Sequence, residues 1–349
     1  MMSAYLRPLG LIHGPDASSG AEAGWAAPLA GLPHLAFTRA EAITREDGRI
    51  TRAVITLDEA AKHPLFKIIT AARPNFGPLA LDRCHIMGVV NVTPDSFSDG
   101  GVHYRAETAI SEARKMAEDG ASILDVGGES TRPGSDAVST AEERARIMPV
   151  IAALAKDHVI SADTRKAVLM MEALGAGAAI INDVAALQFD ADAPATIAAA
   201  HAPVILMHAQ GEPRTMQLAP KYDDVALDVY DGLAGLIAKA EAAGIARANI
   251  MVDPGIGFGK TFAQNLQLIQ QLTLFHGLGV GLLFGLSRKG FIGAITGEKT
   301  AAKRLGGSIG GALAAALQGA QILRVHDVKD SLAALAVFNA SLDPASTSI

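Results

Sequence analysis

Cysteine is nearly absent from this chain, and that scarcity limits both its chemistry and its expected surroundings. Cys84 is the only cysteine among 349 residues, so no internal disulfide is possible and a reducing cytosol is expected. No nearby sequence pattern would activate its thiol. We therefore predict that Cys84 packs in the interior and takes no part in catalysis.

Long apolar runs and an excess of positive charge are also missing. Nowhere do about 18 consecutive apolar residues occur, which is the length that a membrane span needs. The residues from Met1 to Gly10 carry one charge, Arg7, and no apolar segment typical of a secretory signal. A formal net charge of −6 argues against broad binding to nucleic acid or anionic membranes. We expect a soluble cytoplasmic protein that binds any anion through a few locally placed cations.

What is present is typical of a globular enzyme, since 50% of the residues are hydrophobic and 19% are charged. Residues 1–83 nevertheless differ from the rest: they are rich in Gly, Pro and Ala from Gly14 to Pro33, and they alternate polar and apolar residues from Ile50 to Leu57. We interpret them as an extension with one or two short strands, of unknown role. Residues 84–341 form the predicted body, and residues 342–349 a tail.

The body alternates short, apolar, β-branched runs with longer helical patterns. Near-continuous apolar strands separated by helices indicate parallel pairing, with both faces of each strand buried. Eight such units in about 260 residues match the size of one closed (β/α)8 TIM barrel, which is the predicted fold. The predicted strands are Ile86–Val92, Ser122–Val126, Val159–Ala162, Ala178–Ile181, Pro203–Met207, Asn249–Val252, Gly281–Leu286 and Gln321–Val325. An open doubly wound sheet is the alternative, but the first strand lacks the glycine-rich phosphate turn that such a sheet normally carries.

Polar residues follow nearly every predicted strand at the point where it ends. The carboxyl ends of barrel strands meet at one mouth, and that mouth is where TIM barrels bind their substrates. A single polar residue there could be a helix cap, but a polar group after almost every strand predicts a site. These residues are Asn91, Glu129-Ser130-Thr131-Arg132, Asp163, Asn182-Asp183, His208, Asp253, Ser287-Arg288-Lys289, Arg324 and His326.

The types of these residues indicate the chemistry of the ligand. A carboxylate accepts two parallel hydrogen bonds from an amino group and a ring N–H that lie side by side. An amide suits a ring edge that carries both a donor and an acceptor. Asp163, Asn182 and Asp253 therefore fit a nitrogen heterocycle. Arg132, Lys289, Arg324 and His326 favour an anion with several oxygens. A dedicated metal cage is the rival interpretation, but the spacing shows no HExxH, EF-hand or clustered His and Cys. Arg288 could instead pair with a neighbouring Asp.

The motifs that carry these residues resemble those of dihydropteroate synthase from about Cys84 to Ser341. The matching segments are Met87-Gly-Val-Val-Asn91-Val-Thr-Pro-Asp95-Ser-Phe97-Ser-Asp-Gly-Gly101, Asp125-Val-Gly-Gly-Glu-Ser-Thr-Arg132-Pro-Gly134, Ile180-Ile-Asn-Asp183, Leu206-Met-His208, Asp253-Pro-Gly-Ile-Gly-Phe-Gly-Lys260, Ser287-Arg-Lys289 and Arg324-Val-His-Asp327. One departure from the family pattern is Arg165 before Lys166, where many relatives have serine. The extension lies outside the resemblance.

The resemblance implies a transferase that joins a pterin diphosphate to 4-aminobenzoate in folate biosynthesis, and it assigns a role to each matching residue. The pterin would be bound by Asp163, Asn182, Asp253, Lys289 and Arg324, with Met207 and Gly257 also contacting substrate. The diphosphate would be held by Asn91, Arg132, Arg324 and His326. The aminobenzoate site would be shaped by Thr131, Pro133, Phe258, Ser287 and Lys289.

The same resemblance implies that Asp95 and Phe97 lie on a loop that closes over the reaction, that Asp95, Arg132 and Lys289 are the catalytic residues, and that Asn91 also contacts a Mg²⁺ carried by the diphosphate. Two other functions remain open, a non-catalytic pterin-binding paralogue and a pterin-dependent methyltransferase domain. A Gly- and Ala-rich helix near Ser308–Gly319, together with the resemblance, predicts a homodimer.

Overall fold

A computed structural model describes residues 2–93, 102–130, 137–211, 216 and 220–344. Within them, eight parallel strands pair in sequence order, and the last pairs with the first to close a barrel. The strands are β5 (His85–Asn91), β6 (Ile123–Gly127), β7 (Ile160–Asp163), β8 (Ile180–Asp183), β9 (Val204–Met207), β10 (Ile250–Asp253), β11 (Gly281–Phe284) and β12 (Ile322–Val325). This confirms the predicted (β/α)8 barrel and excludes the open doubly wound sheet.

Helices surround the barrel, and several of their starts are fixed by side-chain caps. Ser139 accepts from the Glu142 N–H, Thr261 forms a capping box with Gln264, and Asp224 accepts from two backbone N–H groups of the first turn that follows it. No helix in the described part of the chain has both the length and the apolar character that crossing a membrane requires. The helices of this region are α4 (Val102–Glu118), α5 (Thr140–Leu154), α6 (Ala167–Gly175), α7 (Ala193–Ala200), α8 (Val225–Ala242), α9 (Phe262–Gln270), α10 (Gly290–Thr296), α11 (Leu305–Ala316) and α12 (Val328–Leu342).

The inside of the barrel is apolar at its base and polar at its mouth. Side chains alternate along a strand, so residues two apart point into the same space. A layer of strand residues fills the base together with three residues that precede β5, namely Met87, Ile123, Ile180, Ile205, Met251, Leu283 and Ile322 with Phe76, Leu79 and Leu81. Two residues further along, four of these strands carry Asp125, Asn182, Asp253 and Arg324. The mouth is therefore lined by the next inward-facing positions.

The extension contains more regular structure than the one or two short strands expected from its sequence. Its elements are β1 (Met2–His13), α1 (Pro15–Glu22), β2 (Ala27–Pro28), β3 (Leu35–Glu46), β4 (Arg49–Thr56), α2 (Leu57–Ala60) and α3 (Phe66–Thr70). β1 and β3 pair antiparallel over their whole lengths of 12 residues. Asp47 and Gly48 join β3 to β4 with φ of 48° and 81°, as a two-residue hairpin turn requires. That Asp-Gly pair, flanked by alternating residues, was the sequence signal for a long hairpin.

The sheet of the extension packs between its own small core and the barrel. One side of the sheet contributes Leu6 and Phe37 to a buried apolar cluster. The other members of this cluster include Leu29 and Leu32, which precede β3, and Ile69 of α3. On the barrel side, the Tyr5 hydroxyl donates to Asp231 at 2.8 Å and the Arg45 guanidinium donates to Asp228 at 2.6 Å, and both acceptors lie on α8. The extension is therefore packed on the body of the protein.

Replacing Phe37 with Ala should lower the free energy of unfolding by about 3–5 kcal/mol, because this ring is completely buried and its removal leaves a cavity. Urea unfolding measures the loss. The matched control is Val54→Ala on β4 of the same sheet, where the side chain is 63% exposed and a change within about 0.5 kcal/mol is expected. Equal effects of the two substitutions would contradict the packing described here.

Candidate active site

A guanidinium group from β12 joins two carboxylates at the barrel mouth. The Arg324 Nε donates to Asp125 Oδ2 at 2.6 Å, and Arg324 Nη2 donates to Asp163 Oδ2 at 2.9 Å. Asn182 Nδ2 donates to the same Asp125 oxygen at 3.1 Å. The structure thus brings Asp163, Asn182 and Arg324, predicted from separate strand ends, into one hydrogen-bonded cluster.

Asp125 is the functional residue that the sequence reasoning missed. It was quoted within a motif but given no role, because it lies in the middle of β6 and not after its end. Its side chain is fully buried, and its Oδ1 has no hydrogen-bond partner among the described residues. An acid inside an otherwise apolar strand was the available signal, since a buried carboxylate needs a partner. This oxygen is therefore a buried acceptor without a described donor, on the carboxylate that Arg324 and Asn182 hold.

The arrangement perturbs the protonation of Asp163. Burial and the neighbouring Asp125 raise the pKa of the Asp163 carboxyl to about 8, and the Arg324 guanidinium opposes that rise. One guanidinium faces two carboxylates, so a proton on Asp163 removes the surplus negative charge near neutral pH. A protonated Asp163 donates a hydrogen bond, whereas an ionised one only accepts.

Asp253 and Lys289 form the opposite side of the cluster. Asp253 Oδ1 accepts from the Gly255 N–H at 2.8 Å, and the Cβ position of Gly285 lies 3.8 Å from Asp253 Oδ2 and 3.6 Å from Arg324 Cβ. Burial lowers the pKa of Lys289 to about 8, with Asp253 opposing the shift. Lys289 Nζ lies 4.5 Å from the centre of the Phe258 ring and donates to the Ile256 carbonyl. Phe258 and Lys289, predicted to share a site, are therefore in contact.

The segment 255–260 shapes this side of the mouth. Gly257 has a φ of 85°, and its Cβ position lies 3.2 Å from Lys289 Cδ, so the backbone approaches that side chain closely. Met207, at the end of β9, is buried, and its Cγ lies 3.2 Å from the Cβ position of Gly255. Met207 and Gly257 thus lie close to Asp253 and Lys289, and their contacts with substrate stay a prediction.

Asn91 and His326 lie together at the other side of the mouth. Both line a cavity of about 470 Å³ between α4 and α12, which also contains Arg288. The His326 Nδ1 is 3.1 Å from Ser287 Oγ, so these two predicted residues also meet. Arg288 pairs with Asp327, which is the alternative that the sequence had left open for it. In the described part of the chain, no group of three or more His, Cys, Asp or Glu side chains could hold a metal ion.

Five predicted site residues lie outside the described residues, namely Asp95, Phe97, Thr131, Arg132 and Pro133. Cys84 is partly buried, and burial raises the pKa of its thiol to about 12, so it is an unreactive packing residue as expected. Arg165, the departure from the family pattern, donates two hydrogen bonds to Glu129, at 3.0 and 2.9 Å.

Comparisons with known proteins agree on one family. The family described as pterin binding enzyme matches residues 87–326. The dihydropteroate synthase of Escherichia coli strain K12 is 47% identical over 266 residues, which is 76% of this chain and 94% of that protein. The dihydropteroate synthase of Neisseria meningitidis serogroup B is 49% identical over 268 residues, covering 75% of this chain and 94% of that protein.

Solved structures give the same answer. A structure of Xanthomonas albilineans dihydropteroate synthase with 4-aminobenzoic acid has a TM-score of 0.72 at 46% identity, covering 76% of this chain and 95% of that one. A structure of the enzyme from the same organism with 7,8-dihydropteroate has a TM-score of 0.69 at 44% identity, covering 76% of this chain and 96% of that one.

Asp163→Asn should stabilise the fold near pH 8 but not near pH 4. Near pH 4, close to the ordinary pKa of 3.8 for this carboxyl, the unfolded chain gains little free energy by ionising, whereas between about pH 4 and about pH 8 the unfolded chain ionises and the folded chain does not, so the parent loses stability as pH rises. Urea unfolding near pH 8 should favour the variant by about 1–3 kcal/mol. The exposed Asp157→Asn is the control and should match the parent at both pH values. A variant less stable than the parent near pH 8 would show that the folded protein ionises Asp163 readily.

Proposed function

This chain belongs to the dihydropteroate synthase family, and we propose that the polar ring at its barrel mouth holds the pterin, its diphosphate and 4-aminobenzoate in three adjoining parts. The protein is a transferase that condenses (7,8-dihydropterin-6-yl)methyl diphosphate with 4-aminobenzoate, giving 7,8-dihydropteroate and diphosphate. The proposal for its residues rests on the Asp125–Arg324–Asp163 cluster with Asn182, Asp253 and Lys289 around it. The match to dihydropteroate synthases over 94% of their length favours this function over a methyltransferase domain.

The pterin would occupy the floor of the mouth. The Asp253 carboxylate would accept from the amino group and ring N–H of the pyrimidinone edge, and Asn182 would contact the mixed edge beside it. Lys289 would bind a ring acceptor, and the Arg324 guanidinium would lie over the ring while its N–H groups stay on Asp125 and Asp163. Asp125 and Asp163 already hold that guanidinium in place, so the side chain loses little conformational entropy when the ring binds. Met207 and Gly257 would complete the walls of this part.

The diphosphate would lie toward Asn91 and His326, with Arg324 and Arg132 as the guanidinium partners. The neighbouring Arg288 is already paired with Asp327, so it is not assigned to this anion. A Mg²⁺ ion fits this place only when most of its oxygens come from the diphosphate and water, because Asn91 offers a single amide oxygen. Mg²⁺ held there by Asn91 would supply positive charge to the leaving group.

The 4-aminobenzoate would bind beside the pterin methylene. Phe258 would contact its ring, and Lys289 and Ser287 would face its polar groups. Lys289 lies over the Phe258 ring, so one cation contacts both substrate parts. Thr131 and Pro133 would form the remaining wall.

The reaction is a displacement at the exocyclic methylene of the pterin. The C–O bond to diphosphate breaks, and a C–N bond to the amine of 4-aminobenzoate forms. The electron-rich ring delocalises the positive charge left behind, so bond breaking can run ahead of attack. Arg132, Arg324 and His326 would neutralise the departing charge, an effect typically worth about 3 kcal/mol per well-placed donor. Asp95, with Phe97 beside the pterin, would stabilise the developing cation.

The nucleophile needs little activation. An aniline nitrogen is already nucleophilic when neutral, so no strong general base is required, and the proton of the new C–N centre is lost to water. Correct placement of the two substrates therefore contributes more than proton abstraction.

Arg132→Ala and Asp253→Asn should separate charge neutralisation from pterin binding. Arg132→Ala is expected to lower kcat by about 100-fold with little change in the KM for the pterin diphosphate, because its partner charge develops in the transition state. Asp253→Asn keeps an oxygen for the Gly255 N–H but presents a donor to the pterin, so this KM should rise about tenfold or more. The measurement is diphosphate release with both substrates and Mg²⁺.

Parent protein without 4-aminobenzoate is the control, since release should then stop. The reverse result, a raised KM in Arg132→Ala with unchanged kcat, would show that Arg132 only binds the diphosphate of the substrate and does not stabilise the departing charge.

We also propose a homodimer through α9, α10 and α11, in the cytoplasm that the single cysteine favours. These three helices contact one another. Gly306 and Gly310 on α11 have open space where a Cβ would stand, so another helix can approach closely. Exposed apolar side chains lie on the neighbouring helices, with Phe262 54%, Leu266 43% and Ile295 63% exposed.

Gly310→Glu should convert the dimer to a monomer, because it places a charge against the facing helix. Sedimentation equilibrium measures the mass. Gly235→Glu on α8 is the matched control, since Gly235 is also a helical glycine with open space around it, and its variant should remain dimeric. A parent chain that is monomeric at every concentration would end this part of the proposal.

A further inference from the structure

We propose that Lys260 is a positioning residue for 4-aminobenzoate, because its ammonium group holds the segment 255–260 and thereby places the Phe258 ring against Lys289. The inference deepens the proposed function and rests on the placement of Phe258 in the aminobenzoate site. Lys260 itself is 1% exposed, and its ammonium group contacts backbone carbonyl groups and the His208 ring. It therefore acts through Phe258 and does not contact a substrate.

The ammonium group of Lys260 lies among four acceptors. Its Nζ is 2.9 Å from the Gly255 carbonyl oxygen, 3.0 Å from that of Phe258 and 3.2 Å from that of His208. The fourth acceptor is His208 Nδ1, at 3.1 Å. No acidic side chain forms a salt bridge with Lys260 in the described part of the chain. All of the direct partners thus belong to two loops, the one after β9 and the one after β10.

A buried ammonium without an acidic partner is costly, so its contacts must offset a large desolvation penalty. Burial lowers the pKa of Lys260 to about 7, with Asp253 opposing the shift, and burial lowers the pKa of His208 to about 3. His208 is therefore neutral and can accept at Nδ1 from Lys260. A methionine side chain would fill the same space without this cost, but it would take a donor from three carbonyl groups, of which that of Gly255 keeps the Phe258 N–H as a second donor at 3.1 Å.

The segment itself needs such an anchor. Gly255, Gly257 and Gly259 have φ of 70°, 85° and 64°, a conformation that local hydrogen bonding along a helix or strand does not maintain. The Cβ position of Gly255 lies 1.9 Å from the His208 carbonyl oxygen, so the two loops touch at their backbones. Lys260 Nζ lies at this contact and bridges it.

Two side chains from outside the segment bind other atoms of it. Asn265 Oδ1 accepts from the Gly257 N–H at 2.7 Å, and the Tyr222 hydroxyl donates to the Gly259 carbonyl at 2.8 Å. Lys260 is the group that holds the carbonyl of Phe258, the residue whose ring meets Lys289. Removing it should loosen Phe258, whereas Asp163 and Asn182 remain on their strands. The structure therefore assigns Lys260 to recognition of the second substrate and not of the pterin.

Lys260→Met tests this assignment through a split between the two substrates. The expected result is a rise of about tenfold or more in the KM for 4-aminobenzoate, with the KM for the pterin diphosphate changed by less than about twofold. Lys260→Gln keeps N–H donors for the carbonyl groups and should fall between the parent and the Met variant. It also carries the test if the Met variant does not fold, which circular dichroism reports.

Two further variants separate the possible failures. Leu154→Ala, at a completely buried position in the last turn of α5, should lower stability and the folded fraction without changing either KM. If Lys260→Met and Lys260→Gln behave like Leu154→Ala, the role of Lys260 is purely structural and the inference is overturned. Phe258→Ala should itself raise the KM for 4-aminobenzoate. If Phe258→Ala raises the KM for 4-aminobenzoate but the Lys260 variants do not, the role of Lys260 is disproved and the proposed aminobenzoate site stands. An unchanged KM in Phe258→Ala would remove the proposed aminobenzoate site, and the inference with it.

Discussion

The ion cluster of Arg324 with Asp125 and Asp163 is the interaction on which the mouth of this barrel depends. It joins side chains from β12, β6 and β7 in a space where an uncompensated carboxylate would be costly. The guanidinium allows two acids to remain inside the barrel, and they in turn fix its plane. Asn182 is attached to the same network through Asp125. The floor of the site is therefore ordered before any substrate arrives, which is the condition for electrostatic catalysis.

Much of this site could be predicted from the sequence because a barrel converts strand ends into neighbours. Asp163, Asn182, Asp253 and Arg324 could be predicted to meet without any knowledge of distances, since each follows or ends an apolar run. Asp125 could not be assigned in that way, because a position inside a strand faces either the interior or the surrounding helices, and only the register of the barrel decides which.

The extension shows a different limit of sequence reasoning. Its β3–β4 hairpin had a local signal in Asp47-Gly48, but the pairing of β1 with β3 joins segments about 30 residues apart, and loop closure over that distance has no local pattern. Its contacts with α8 combine hydrogen bonds with the packing of Tyr5 against Tyr230, and both depend on tertiary placement. The contact of Arg165 could not be predicted from the sequence either. Its two hydrogen bonds to Glu129 join residues that follow two different strands, so the contact depends on the fold.

The packed base of the barrel constrains how substrates enter and products leave. Phe76, Leu79 and Leu81 close the end opposite the mouth, and the strand residues above them fill the bore with apolar side chains. No molecule can pass along the barrel axis, so both substrates enter and both products leave through the mouth of the barrel. Both products must therefore leave the mouth before the next substrates bind. Release of the last product can then limit the rate of the catalytic cycle.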